Sequence, residues 1–153
     1  MHRRNIIAGT IAAVGALFAA ARNASHADQA RAAPTPDGAK VAYHLCDLDK
    51  VAFVLSNIRN HYDGVGGPEK VTIALVVHGP ALKAFHAAQA NPEVARTMTQ
   101  FLNSGLQPMA CGNTMRAQNV TLKDLVPGFV SAERGGVVRL AELQAQGYAY
   151  LRP

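Results

Sequence analysis

The sequence predicts a small three-layer α/β domain, a parallel sheet with helices on both faces. Between residues 40 and 153, apolar stretches of strand length alternate five times with stretches of helical period. Such alternation builds parallel sheets, because each new parallel strand needs a crossover that carries the chain back to the same end. One strand, KVTIALVVHG at 70–79, is almost wholly apolar, as expected of a strand covered on two sides. Glycines, prolines and capping residues fall between the segments rather than inside them.

The first strand is KVAYHLC at 40–46. Asp47 then offers a cap for a helix whose apolar side is Leu48, Val51, Leu55, Ile58 and Tyr62, spaced three and four apart. GVGGP at 64–68 breaks that helix ahead of the second strand. Pro80 opens a helical stretch to about Gln89, and Asn91-Pro92-Glu93 sets cap, first-turn proline and acid for the next helix. Its buried stripe is Val94, Met98, Phe101 and Leu102, and Gly105 stops it. LQPMAC at 106–111 is the third strand, followed by a short helical piece. Thr121 and Asp124 then form a capping-box pattern before Pro127. FVSA at 129–132 is the fourth strand. Gly135-Gly136 lead into the helix VVRLAELQAQ, which Gly147 closes, and YAYL at 148–151 is the last strand.

Residues 1–27 read as a signal peptide: a basic start, an apolar run from Ile6 to Ala21, and small residues at Ser25 and Ala27, with cleavage expected after Ala27. Arg3-Arg4 followed by Ile6-Ile7 resembles a twin-arginine export signal, and the expected location is periplasmic. The run is shorter than the roughly 20 apolar residues that span a membrane, so no stable membrane anchor is expected. Residues 28–39, DQARAAPTPDGA, read as a flexible lead-in to a single domain at 40–153. Loss of Arg3, Arg4 and Arg22 with the signal lowers the net charge from +5 to +2, leaving 12 basic and 10 acidic side chains. That residual charge gives no expectation of nucleic-acid binding.

The sequence contains no CxxC, no HExxH, no GxGxxG between a strand and a helix, no serine elbow and no glycosidase-like carboxylate pair. GVGGP follows a helix, so it is not a phosphate loop. Asn57, Arg59, Asn60 and His61 form a polar cluster of the kind expected on a solvated face.

Open parallel sheets bind ligands beyond the carboxyl ends of their strands. Here those ends carry Cys46-Asp47, His78-Gly79 and Cys111-Gly112-Asn113. Gly112 lets the chain turn sharply after Cys111, and Asn113 or Thr114 can cap the helix that follows. A thiol at a helix N-terminus faces unpaired N–H groups and the positive end of the dipole, both of which favour the nucleophilic thiolate. Arg116 lies within the same turn. His78 can exchange protons with Cys111 if the second and third strands are neighbours. The two cysteines admit a disulfide in an oxidising compartment, but an intervening strand would hold them about 10 Å apart, beyond its reach. His44, Cys46, His78 and Cys111 form an N/S set suited to zinc or copper, though nothing in their spacing is a metal signature, and no cofactor is expected.

YHLCD, VVHGP, ACGNTM and the closing LAELQAQGYAYLRP together resemble the DsrE/DsrF-like proteins, which include the sulfur-relay sulfurtransferase subunits. The resemblance spans residues 40–153. It implies a three-layer α/β/α sandwich around a five-stranded parallel sheet, and assembly into homo- or hetero-oligomers. It also implies that Cys111, which matches the family's sulfur-carrying cysteine, holds a persulfide and passes sulfur to a partner protein or small compound. On this basis the leading expectation is an exported sulfur carrier. Gly79, Gly112, Asn113 and Thr114 would line its anion site, His78 would be its proton partner, and Cys46 would resolve the persulfide or pair with Cys111. A non-catalytic oligomeric module binding a small anion or a partner segment is the alternative, and a metal-binding protein the third.

Overall fold

The computed structural model describes residues 38–153; the expected signal peptide and all but the last two residues of the lead-in lie outside them. Ala39, expected in the lead-in, belongs to the first strand. Five strands, β1 (Ala39–Leu45), β2 (Val71–Val77), β3 (Gln107–Cys111), β4 (Val130–Ala132) and β5 (Ala149–Leu151), form one sheet in the order β4-β3-β2-β1-β5. Every pairing is parallel. The expected α/β class and five-stranded parallel sheet are both present.

The helices are α1 (Val51–Val65), α2 (Pro92–Asn103), α3 (Gly112–Ala117) and α4 (Gly136–Ala145). From β1 to β4 the chain steps one way across the sheet, and α1, α2 and α3 pack on one face against Val41, Tyr43, Leu45, Ile73, Leu75 and Val77. The link from β4 to β5 runs back across the whole sheet. Its helix, α4, covers the opposite face, where Leu140 and Leu143 meet Ala42, Ala74, Val76 and Met109. Crossovers keep one hand, so reversing the direction of travel moves the helix to the other side. Among the described residues the layers are therefore unequal, with three helices on one side and one on the other.

Asn91 caps α2 as expected, its Oδ1 accepting from Glu93 N at 2.8 Å. Thr121 and Asp124 form the expected capping box, but on a single 3-10 turn, Leu122–Asp124. Within the expected stripes, Met98 and Phe101 are buried on α2, whereas Val94 and Leu102 are half-buried. Two local expectations fail. Leu48 is exposed in a 3-10 turn ahead of α1, and Asp47 makes no side-chain cap there. The stretch after Pro80 is not an α-helix: 3-10 turns run over Gly79–Phe85, then His86 bridges antiparallel to Leu125. Val126 N donates to Phe85 O at 2.8 Å, and the Phe85 and Phe129 rings meet edge-on at 5.3 Å. Long-range pairing thus overrides the local helical period.

Candidate functional site

Strand periodicity places the functional side chains before any contact is considered. On β1, His44 and Cys46 continue the row begun by Ala42; on β2, His78 continues Ala74 and Val76; on β3, Cys111 continues Met109. All four therefore lie at the carboxyl end of the sheet on the α4 side. The pairing of Ala42 with Tyr150 puts Tyr150 of β5 on the same side.

Cys111 stands at the switch point of the fold. The strand before it leads to α3 on one face, while its neighbour β4 leads to α4 on the other, so two helix N-termini diverge around one residue. Burial pushes the Cys111 thiol up, but the Thr114 hydroxyl and the N–H groups of Thr114, Gly136 and Asn113 outweigh it and hold the thiol below its ordinary value. None of these forms a strict capping hydrogen bond with the side chain; they act on the charge, as oriented donors at two helix starts. The residue is 5% exposed, so Cys111 lies buried at the base of the turn and not displayed on the surface. Close packing explains this. A Cβ on Gly136 would meet Cys111 Cβ at 3.4 Å and His78 Cβ at 3.3 Å.

Thr114 ties the neighbouring loop to this point. Its Oγ1 accepts from Gly79 N at 2.9 Å, while Gln118 Nε2 donates to Gly79 O at 2.9 Å. Gly79, at φ 57°, adopts the left-handed conformation that lets its N–H reach Thr114.

A second cluster sits one strand away. His44 and His78 meet end to end, their rings inclined by only 20° with centroids 4.7 Å apart and Nε2 atoms 2.5 Å apart. His44 Nδ1 meets the Tyr150 hydroxyl at 2.6 Å. Arg152 Nη2 donates to both Cys46 Sγ and Asp47 Oδ2, each at 3.1 Å. Burial, then the charges of His78 and Arg152, push His44 down to about 4; burial and Arg152 also lower His78. Both rings are therefore neutral near pH 7, one nitrogen of the close pair donating and the other accepting. The Cys46 thiol is pushed up, by burial first and then by its hydrogen bond to Asp47, so the two cysteines shift in opposite directions. One ligand atom from each of His44, Cys46 and His78 lies within 4.8 Å of the others, making this the possible metal-ligand group among the described residues.

The sequence profile of the DsrE/DsrF-like family matches residues 18–153. The chain belongs to this family. Family membership points to a sulfur-relay type of role. No curated protein matches the chain. Among solved structures, this DsrE-family chain is similar to the protein of unknown function MTH1491 from Methanobacterium thermoautotrophicum. Identity is 26% and the TM-score 0.66, over 75% of this chain and 99% of that one. The conserved protein of unknown function BT1422 from Bacteroides thetaiotaomicron shares the fold at 18% identity and TM-score 0.56, over 74% and 94%. The ychN protein from E. coli shares it at 11% and 0.53, over 76% and 99%.

The sequence-predicted residues fall into two groups in this DsrE-family fold. Cys111, Asn113, Thr114 and Gly79 come together, and β2 and β3 are neighbours as the His78 expectation required. His78 turns its Nε2 to His44, however, and Cys46 joins the histidines instead of Cys111. Both cysteines are free, with β2 between their strands. Gly112 has a steric place beside Cys111, since a Cβ there would stand 2.8 Å from Glu133 O. Arg116 donates to Asn113 Oδ1 and is not among the groups that shift Cys111. Sequence reasoning missed Gly136, Tyr150 and Arg152. The Gly135-Gly136 pair was a visible signal for the first, but its meaning depends on β4 lying beside β3.

The opposed thiol shifts give a pH signature. In single-cysteine proteins, alkylation of Cys111 should rise through a midpoint below the ordinary 9.0, and that of Cys46 through a midpoint above it. Because the folded Cys111 pKa is depressed, its contribution to stability is present above the ordinary pKa and lost as pH falls through the folded one. Thr114→Val should move the Cys111 midpoint upward. It should also lower stability by about 1–3 kcal/mol, because Gly79 N–H loses its acceptor. An unmoved midpoint would remove Thr114 from the site.

Proposed function

We propose that this chain is an exported sulfur carrier that holds sulfane sulfur as a persulfide on Cys111. The observation that carries the reading is the position of Cys111, at the start of α3 and packed against Gly136 at the start of α4, where the Thr114 hydroxyl and the N–H groups of Thr114, Gly136 and Asn113 hold the thiol below its ordinary value. This arrangement favours the thiolate as nucleophile and would equally hold the terminal sulfur anion of a persulfide. With thiosulfate as donor, the Cys111 thiolate attacks the outer sulfur, the S–S bond to the sulfonate breaks, and sulfite leaves with the electron pair. The product is Cys111–S–S⁻, and no external oxidant or reductant is consumed. A thiolate acceptor then takes the outer sulfur and regenerates Cys111.

The slight exposure of Cys111 favours a small inorganic donor for loading. His78, neutral near pH 7 and packed against the same glycine, is the proton partner of donor or acceptor. Gly79, Gly112 and Asn113 shape the site, and Cys46 stands apart from it. Placement in the periplasm rests on residues 1–27, and assembly into a homo-oligomer rests on family membership.

The test is the intact mass of the reduced protein after exposure to thiosulfate or polysulfide. A gain of one sulfur atom is expected, removable by reductant and located on the Cys111 peptide. An unchanged mass, or sulfur found only on Cys46, overturns the proposal, and an unchanged mass favours the non-catalytic binding module.

A further inference from the structure

We infer that His44, Cys46 and His78 form a binding site for one thiophilic transition-metal ion, zinc or copper, with His44 Nε2, His78 Nε2 and Cys46 Sγ as ligands. Cys111 lies outside the group, and His78 is the one residue that the group shares with the proposed sulfur-loading site.

Topology brings the ligands together. His44 and Cys46 are two apart on β1, hence on one side of the sheet, and His78 follows the adjacent strand in register, its N–H donating to Leu45 O at 3.0 Å. All three are half-buried, accessible to an ion yet screened from bulk water. Around a tetrahedral ion with ligand bonds of about 2.0–2.3 Å, donor atoms sit about 3.3–3.6 Å apart. One nitrogen of each ring and the Cys46 sulfur already lie within 4.8 Å of one another, and the 2.5 Å contact between the Nε2 atoms must open by about 1 Å. A small rotation of the half-exposed His78 ring can supply that.

Surrounding groups point the same way. Two ring nitrogens this close, with one proton between them, make a pair that an ion can replace. Tyr150 holds His44 Nδ1 at 2.6 Å, which fixes the ring and leaves Nε2 as the ligating nitrogen. Arg152 contacts Cys46 Sγ through one N–H, a bond that a metal-bound thiolate can keep, and its side chain is half exposed and free to swing aside. The donor set decides the metal class. Two imidazoles and one thiolate suit zinc or copper, whereas calcium and magnesium need oxygen ligands. The nearby carboxylate, Asp47, is engaged by Arg152. Binding of a divalent ion exchanges the Cys46 thiol proton for a metal–sulfur bond and releases that proton to solvent. The fourth position is left for water or an exogenous ligand.

The test is titration of reduced, tag-free protein with Co²⁺, followed by the sulfur-to-cobalt charge-transfer absorption. One equivalent should produce the band. Cys46→Ser should abolish it, His44→Ala should weaken binding at least about tenfold, and Cys111→Ser should leave it in place. Tyr150→Phe should weaken binding by about 10–100-fold through loss of the ring's anchor. Thermal melting of each metal-free variant separates loss of a ligand from loss of the fold. Competition then distinguishes the metals: bleaching of the band by one equivalent of Zn²⁺ assigns zinc, and bleaching by Cu⁺ alone assigns copper. The absence of any band, or a band that persists in Cys46→Ser, overturns the site. A band lost in Cys111→Ser and kept in Cys46→Ser would place the ligand on the other cysteine and overturn it equally.

Discussion

The Cys111→Ser protein is expected to take up no sulfur from thiosulfate while keeping its fold. A hydroxyl in the same position meets the same donors, the Thr114 hydroxyl and the N–H groups of Thr114, Gly136 and Asn113. Those donors favour a thiolate, holding the thiol below its ordinary value, but a serine hydroxyl ionises far less readily than a thiol and no oxygen anion forms there. Loading should therefore fall to background and not by a partial factor. Stability should change by only about 1 kcal/mol, since serine loses some packing at a buried site and gains as a helix cap. The paired measurements are intact mass after donor exposure and thermal melting. Undiminished loading in the serine protein would show that Cys111 is not the acceptor.

Gly112→Ala is expected to carry the largest stability cost of a single methyl group in the site. Its Cβ would stand 2.8 Å from Glu133 O, 3.2 Å from Ala132 O and 3.2 Å from Glu133 Cα. All three are backbone atoms, so no side chain can rotate away to make room. Relief requires the carboxyl ends of β3 and β4 to part, where Cys111 pairs with Ala132. Overpacking against backbone belongs at the upper end of the usual range, about 3 kcal/mol, a fall of roughly 10 °C in melting temperature for a domain of this size. Separation of β4 also draws Gly136 away from the thiol, so the Cys111 alkylation midpoint should rise. A melting temperature within about 2 °C of the parent would contradict this close approach.

The sheet was legible because its strands are nearly pure in period: VTIALVV admits no helical stripe, and its burial on both sides follows from composition. Helix starts set by local chemistry, Asn91 above all, were equally legible. Leu48 misled because its three-residue spacing from Val51 is helical in sequence, while the chain spends those residues in a tighter turn that points it outward. Pro80 to Gln89 misled for a different reason, since the pairing of His86 with Leu125 lies 39 residues away. Within the site, the strand ends named Cys111, His78 and Cys46, and the turn chemistry named Asn113 and Thr114. Gly136, Tyr150 and Arg152 join only through the return from β4 to β5, which local pattern does not encode. The same ignorance of strand order grouped four metal-binding candidates where the fold separates one from three.

Strand β5 pairs with β1 over only three residues, all of them exposed, yet it bears Tyr150 and leads directly to Arg152. These contacts join residues 106 apart in the sequence. A short exposed edge strand opens at a free energy well below that of global unfolding. The segment from Tyr150 to Arg152 therefore acts as a clasp, tying the edge of the sheet to His44 and Cys46.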